Sequence, residues 1–215
     1  MKTNYHTHHE LCGHAIGNCE DYVLEAIKGN LEELGFSDHA PNSRVNDFGV
    51  RMKPKDFEGY LEEIEAMQNK YKESLTIRKG IEVEYFYDHE EYYKFLKSKL
   101  DYLILGQHYI SLTKEMDNLI SGFGLGTDKE IETYANYVCE GMRTKNFKIL
   151  AHPDLYMCGY KDWNQKAIDV ANKIIKCAIE TDTILEFNGN GFRRGIRNTP
   201  QGKTPLFDGW MQSFQ

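Results

Sequence analysis

Amphipathic segments alternate with short apolar runs along the whole chain. Apolar residues spaced three and four apart predict five helices. Their apolar stripes are Val23, Ala26, Ile27, Leu31 and Leu34; Phe57, Tyr60, Leu61, Ile64, Met67 and Tyr71; Tyr92, Phe95, Leu96 and Leu100; Ile131, Tyr134, Ala135, Val138 and Met142; and Ala167, Val170, Ala171, Ile174, Ile175, Ala178 and Ile179. We expect the first helix to begin after Asn18, paired with Asp21 as a cap, and to stop at Gly35.

The apolar runs between these helices predict six short β-strands. They cover residues 3–8, 35–39, 75–83, 101–108, 147–152 and 183–188. Strands that alternate with helices are typical of a parallel sheet, either open or closed into a barrel. The chain of 215 residues shows no internal repeat and no linker, so we expect a single α/β domain over residues 1–215.

Residues that can bind a metal ion stand at the ends of the first five predicted strands. They are His6 and His8, Asp38 and His39, Glu82 and Glu84, His108, and His152 with Asp154. In α/β barrels the chemistry lies at the carboxyl ends of the strands. Alternate residues of a strand point to one face, so His6 and His8 can present two imidazoles to one ion. The joint placement of these side chains predicts a metal centre.

The remaining histidines have individual interpretations. His9 is expected to face away from its neighbour His8, in packing or at the surface. His14, in the loop after the first strand, is equally compatible with a ligand and with a non-ligand. His89 lies in a polar stretch and is expected to be solvated. Cys12 and Cys19 lack ligand spacing and are interpreted as small buried residues.

The predicted donor set determines the expected chemistry. Imidazole and carboxylate without thiolate suit Zn²⁺, Mn²⁺ or Fe²⁺. The candidate ligands outnumber the three or four that one catalytic ion takes, so we expect two to three divalent ions with Glu82 as a bridge. Such a cluster lowers the pKa of bound water and favours an in-line displacement at phosphorus.

Composition narrows the range of partners. The chain carries 33 acidic and 26 basic residues, a formal charge of −7, which argues against nucleic acid or an anionic membrane as partner. No apolar run approaches the roughly 18–20 residues that span a bilayer, and no signal peptide is apparent. The five cysteines are scattered without a Cys-x-x-Cys pair, so we expect a reducing, cytoplasmic location. The sequence is compatible with an oligomer.

Six motifs, in order along the chain, resemble those of the PHP (polymerase and histidinol phosphatase) family. They are His6-Thr7-His8, Gly13-His14, Ser37-Asp38-His39-Ala40-Pro41, Gly80-Ile81-Glu82-Val83-Glu84-Tyr85, Gly106-Gln107-His108 and Ala151-His152-Pro153-Asp154. Two stretches are most similar to the monofunctional histidinol-phosphate phosphatases: Asp38-His39-Ala40-Pro41 and Gly80-Ile81-Glu82-Val83-Glu84. The resemblance covers residues 4 to about 198. It implies a distorted (β/α)7 TIM-like barrel with a trinuclear metal site.

The resemblance also implies roles for individual residues. The ligands it implies are His6, His8 and Glu82 for a first ion, Glu82, His108 and His152 for a second, and His14 and His39 for a third. We expect Glu82 and His108 to be essential for catalysis. Arginines after the sixth strand are expected to grip phosphate, with Arg193 and Arg197 favoured and a solvated basic turn as the alternative. Asn188 matches a polar residue at the site mouth, and Arg51 is a weaker candidate for substrate binding.

One family motif has no counterpart. Family members end a seventh strand in Asp-x-His, and no Asp-x-His follows residue 154. We therefore expect a barrel that lacks its last β/α unit in a C-terminally incomplete domain.

The expected function is that of a metal-dependent phosphomonoesterase acting on a small phosphate ester. The resemblance implies the hydrolysis of L-histidinol phosphate to L-histidinol and phosphate, in histidine biosynthesis. The alternatives are a PHP phosphoesterase for another small ester and a truncated metal-binding protein with little activity. An acidic rim of Glu84 and Asp154 is expected to attract the ammonium group of the substrate.

Overall fold

The computed structural model describes residues 2–45, 49–113, 116 and 118–188, together with the backbone of residues 196–199 and 202–205. The helices are α1 (Cys19–Lys28), α2 (Phe57–Tyr71), α3 (Glu90–Lys99), α4 (Asp128–Arg143) and α5 (Gln165–Thr181). The strands are β1 (Thr3–Thr7), β2 (Glu33–Phe36), β3 (Thr76–Val83), β4 (Tyr102–Leu105), β5 (Tyr109–Ile110), β6 (Ile120–Ser121), β7 (Ile149–Leu150), β8 (Ile184–Leu185), β9 (Ile196–Thr199) and β10 (Gly202–Pro205).

The chain folds into two compact units. The first consists of Met1–Val83 and His89–Ile104, and the second of Glu84–Asp88 and Leu105–Gln215. The division therefore falls inside β4. The single domain over residues 1–215 stays a prediction.

In the first unit the strands follow the order β1, β2, β3, β4. β1 pairs with β2 and β2 with β3, both in parallel, and Phe36 lies opposite Lys79. The same register continues past the end of β2, where His39 and Glu82 form an isolated parallel bridge. The carboxyl ends of β2 and β3 therefore bring a histidine and a glutamate side by side.

The first helix is shorter than its apolar stripe predicts. α1 begins with the capping box of Asn18 and Asp21, as predicted, but it ends at Lys28. The chain reverses at Asn30, which has a positive φ of 53°. Leu34 then lies in β2 and is buried there. The prediction that this helix reaches Gly35 is wrong, because Leu34 matches the helical spacing by coincidence and is buried by the sheet.

Tyr102 on β4 fixes three neighbouring strands of the first unit. Its hydroxyl donates to the carbonyl of Tyr5 at 2.7 Å and lies 3.0 Å from the carbonyl of Phe36. A Cβ atom at Gly35 or Gly80 would overlap the phenol ring or its hydroxyl. These two glycines are therefore required by close packing in the sheet.

The second unit is also built from parallel strands and helices. β7 pairs with β8 in parallel, and Ala151 donates a backbone hydrogen bond to Leu105, the last residue of β4. α4 and α5 pack against each other, and their predicted apolar faces are buried, as at Ile131 and Ile174. The short pairs β5–β6 and β9–β10 are antiparallel.

The α/β class with parallel strands is confirmed, while several strands are shorter than predicted. β4, β7 and β8 end two or three residues before the polar side chains that end the predicted strands. Those side chains therefore lie in the loops that follow the strands. No helix in the described part of the chain is long and apolar enough to cross a membrane.

Candidate metal centre

Three imidazoles surround one carboxylate oxygen in the first unit. Glu82 Oε2 lies 3.1 Å from His6 Nε2, 3.2 Å from His8 Nε2 and 3.1 Å from His39 Nδ1. The two Nε2 atoms of His6 and His8 are 2.9 Å apart. Glu82 is almost completely buried. Such a convergence of imidazole nitrogens on a buried carboxylate is the donor arrangement of a divalent metal site.

The alternation of strand side chains explains why His6 and His8 meet. β1 ends at Thr7. The side chain of Thr7 is buried on the face opposite to the two histidines. The backbone bridge between β2 and β3 then carries His39 and Glu82 to the same place, because Ala40 donates to the Glu82 carbonyl and Glu82 donates to the Asp38 carbonyl.

His14 reaches the same group through a tight turn. Gly13 has a φ of +72°, and a Cβ there would overlap the backbone of Gly49. The turn places the His14 ring 4.9 Å from that of His8 and 5.2 Å from that of His39, measured between ring centroids. Burial and then the charge of His8 lower the pKa of His14. A lowered pKa favours neutral imidazole, the form that binds metal.

Cys12 supports two of these histidines from behind. It is completely buried, as predicted for a small packing residue. Its Sγ lies 3.2 Å from His8 Nδ1 and accepts the backbone N–H of His39 at 3.0 Å. A proton on Nδ1 of His8 leaves Nε2 with its lone pair facing Glu82. This second role has no signal in the sequence, since Cys12 has no ligand spacing.

The second unit holds another pair of histidines. His108 Nδ1 lies 3.1 Å from Oε1 of Glu84, which is fully buried. The rings of His108 and His152 are 4.9 Å apart, and Phe123 stacks on His108 at 6.1 Å. A carboxylate that accepts from Nδ1 fixes the imidazole tautomer and directs Nε2 toward a ligand. Glu84 therefore orients His108.

The loop after β8 supports His152. The backbone N–H of His152 donates to Oε2 of Glu186 at 2.7 Å, and the side-chain amide of Asn188 donates to the same oxygen at 3.0 Å. His152 has an unusual backbone with φ of 30°. The glutamate thus holds the backbone of His152 and links it to Asn188, the predicted mouth residue.

Two predictions about polar residues in this region are wrong. Glu84 and Asp154 form no acidic rim, because both are buried, and the Glu84 carboxylate is bonded to His108. Glu84 lies two residues after Glu82, so the alternation of strand side chains sends both inward. His89 is half-buried rather than solvated, with its ring 6.1 Å from Tyr92 and 6.3 Å from Tyr93.

The structure describes only some of the predicted phosphate-binding residues in full. Arg51 lies near the imidazoles around Glu82. Its Nη1 donates to the carbonyl of Ala40 at 2.9 Å, and Ala40 follows His39 in the chain. Arg193 lies outside the described residues, and Arg197 lies on β9, of which only the backbone is described. Substrate binding by these arginines and by Asn188 stays a prediction.

Sequence comparison identifies the family. The profile of the PHP domain matches residues 4–190. The chain belongs to the PHP domain family. This PHP chain is 36% identical over 110 residues to a "Probable histidinol-phosphatase" of Deinococcus radiodurans, an alignment that covers 49% of the chain and 41% of the relative. It is 25% identical over 220 residues to a "Probable histidinol-phosphatase" of Schizosaccharomyces pombe, covering 91% of the chain and 72% of the relative.

A histidinol-phosphatase of Bacillus subtilis is 31% identical over 120 residues, 51% of the PHP chain and 45% of the relative. The alignments therefore span less than half the length of the Deinococcus and Bacillus proteins. Among solved structures, a candidate histidinol phosphatase of Listeria monocytogenes superposes with a TM-score of 0.74 at 20% identity, covering 99% of this chain and 90% of that one. The histidinol phosphate phosphatase of Lactococcus lactis gives 0.70 at 21% identity, covering 89% and 74%. These likenesses show a shared fold.

Proposed function

We propose that this protein is a metal-dependent phosphomonoesterase that hydrolyses L-histidinol phosphate to L-histidinol and inorganic phosphate. The observation that carries the proposal is the convergence of His6, His8 and His39 on one oxygen of Glu82. The relatives named as histidinol phosphatases support the substrate. The Lactococcus protein is described as complexed with zinc, L-histidinol and phosphate, which supports both the metal and the substrate.

The proposal includes the ions and the fold. We assign the protein two to three ions of Zn²⁺, Mn²⁺ or Fe²⁺. In the first unit His14 joins the imidazoles around Glu82 as a ligand, and in the second unit His108 and His152 are the ligands. A distorted (β/α)7 barrel in one domain is the fold we propose.

The pKa of His14 and the hydrogen bond between Glu84 and His108 both fit binding of metal ions. When bound, the ions supply charge that polarises a phosphoryl oxygen and lowers the pKa of water. The lowered pKa of His14 keeps its imidazole available as a ligand. The hydrogen bond between Glu84 and His108 Nδ1 directs Nε2 of His108 toward a ligand. We assign phosphate binding to Arg193 and Arg197, with Asn188 and Arg51 beside the site.

Phosphate release by the purified chain tests the substrate. Initial rates are measured with L-histidinol phosphate and with a set of other small phosphomonoesters, including nucleotides. We expect the highest kcat/KM for L-histidinol phosphate. Comparable or higher values for another ester would overturn the substrate while leaving the reaction class in place.

Glu82→Gln tests the reaction class, and Glu73→Gln is the matched control. Both variants replace one carboxylate by an amide of the same size, and Glu73 is exposed in the turn after α2. We expect Glu82→Gln to lose at least a hundredfold in kcat/KM and Glu73→Gln to match the wild type. Equal activity of all three proteins would contradict the role of Glu82.

A further inference from the structure

A second group of possible metal ligands lies in the first unit, on the opposite side of the backbone from His8. His9, Cys19 and Glu63 each offer one ligand atom, and these three atoms all lie within 4.8 Å of one another. The side chains of His9 and Cys19 are completely buried. None of the three belongs to the cluster around Glu82.

His9 is held as metal-binding histidines are held. Its Nδ1 lies 2.6 Å from Oδ2 of Asp38, whose other oxygen accepts the backbone N–H of His9 at 3.0 Å. A carboxylate that accepts from one ring nitrogen presents the other nitrogen to a metal ion. That other nitrogen, Nε2, is buried and has no hydrogen-bond partner among the described residues. Oε2 of Glu63 is 3.6 Å away.

Cys19 and Glu63 are fixed relative to one another. Cys19 is the first residue of α1, and its backbone N–H donates to Oε1 of Glu63 at 3.1 Å. Burial and the charge of Glu63 raise the pKa of Cys19, so the thiol keeps its proton until a cation takes its place.

We propose that His9, Cys19 and Glu63 bind a divalent metal ion, best suited to zinc, at a site separate from the centre at Glu82. One imidazole, one thiolate and one carboxylate are three of the four ligands of a tetrahedral zinc site, and water completes it. Binding releases the thiol proton to solvent as the sulfur–metal bond forms. Asp38 and His9 precede and follow the ligands His39 and His8 in the chain, so the ion stabilises the backbone that carries both.

Cobalt substitution of the metal-free full chain tests this site. Cobalt bound to a thiolate absorbs in the near ultraviolet through charge transfer from sulfur, whereas imidazole and carboxylate ligands give no such band. Cys19→Ser is compared with Cys12→Ser, which removes the thiol beside His8. We expect the band in the wild type and in Cys12→Ser. Cys19→Ser should lose the band and should bind about one ion fewer per chain than the wild type.

Two results overturn the proposal. One is a wild-type protein without the band, in which His9 is simply an imidazolium between Asp38 and Glu63. The other is a band that Cys12→Ser removes and Cys19→Ser retains. If circular dichroism shows that Cys19→Ser is unfolded, Glu63→Gln replaces it, and zinc affinity unchanged from wild type contradicts the site. Hydrolysis of L-histidinol phosphate is measured separately, so an inactive protein that shows the band refutes only the proposed function.

Discussion

Replacement of Glu84 by glutamine tests whether a buried carboxylate controls the metal affinity of His108. Oε1 of Glu84 lies 3.1 Å from His108 Nδ1, and Glu84 is fully buried. Glutamine has the same shape, so Glu84→Gln leaves no cavity. It removes the negative charge and offers a neutral carbonyl to the imidazole, which weakens the hydrogen bond and the basicity of Nε2.

The magnitude follows from comparable supports of metal-binding histidines. Loss of a carboxylate that holds such a histidine costs roughly 10–100-fold in metal affinity or activity. At about 1.4 kcal/mol per factor of ten, this is about 1.4–2.8 kcal/mol. We expect Glu84→Gln to bind zinc 10–100 times more weakly in competition with a chromophoric chelator. The kcat at a fixed, subsaturating zinc concentration should fall in parallel and recover with added zinc.

The control for this prediction is Glu73→Gln, which removes the same charge at an exposed position. It should bind zinc as the wild type does. The reasoning is refuted if Glu84→Gln has wild-type zinc affinity, or if it lowers only the free energy of unfolding and leaves zinc affinity unchanged.

Three further predictions concern stability and pH. Tyr102→Phe removes the hydroxyl between the carbonyls of Tyr5 and Phe36, so urea unfolding should show a loss of about 1–3 kcal/mol, and an unchanged midpoint would contradict this. Thr127→Ala removes the N-cap of α4 and should cost about 1 kcal/mol in the same assay, and an unfolding midpoint equal to that of the wild type would contradict this role. Backbone N–H groups, first that of Gly126, lower the pKa of Glu130, so its contribution is present above about pH 4.5 and lost as the pH falls through the lower folded value. Glu130→Gln should therefore flatten the acid limb of the stability curve, and an unaltered limb would argue against it.

Strand-end reasoning predicts the meeting of His6, His8, His39 and Glu82, because it uses two rules that the backbone enforces. Alternate residues share a face, which brings His6 and His8 together. Parallel strands end at one edge, which brings His39 to Glu82 through the same register that pairs Phe36 with Lys79. Neither rule depends on distant side chains, so both can be applied to a sequence.

The supporting groups escaped prediction because their role depends on the partner that folding delivers. Glu84 has the spacing that sends it inward, yet only the arrival of His108 shows which proton it accepts. Cys12 carries no ligand spacing, and its contacts with His8 and the backbone of His39 come from a turn. The same limit applies to the end of α1, since periodicity alone could not show that Leu34 is buried by a sheet.

Metal removal and restoration test the central claim most directly. The purified chain is treated with a chelator, freed of it, and reloaded with zinc, and phosphate release from L-histidinol phosphate is measured at each step. We predict that the activity disappears with the metal and returns on reloading. Glu82→Gln should show no hydrolysis even after it is loaded with zinc. Hydrolysis that persists in the metal-free protein would contradict a metal centre built on Glu82.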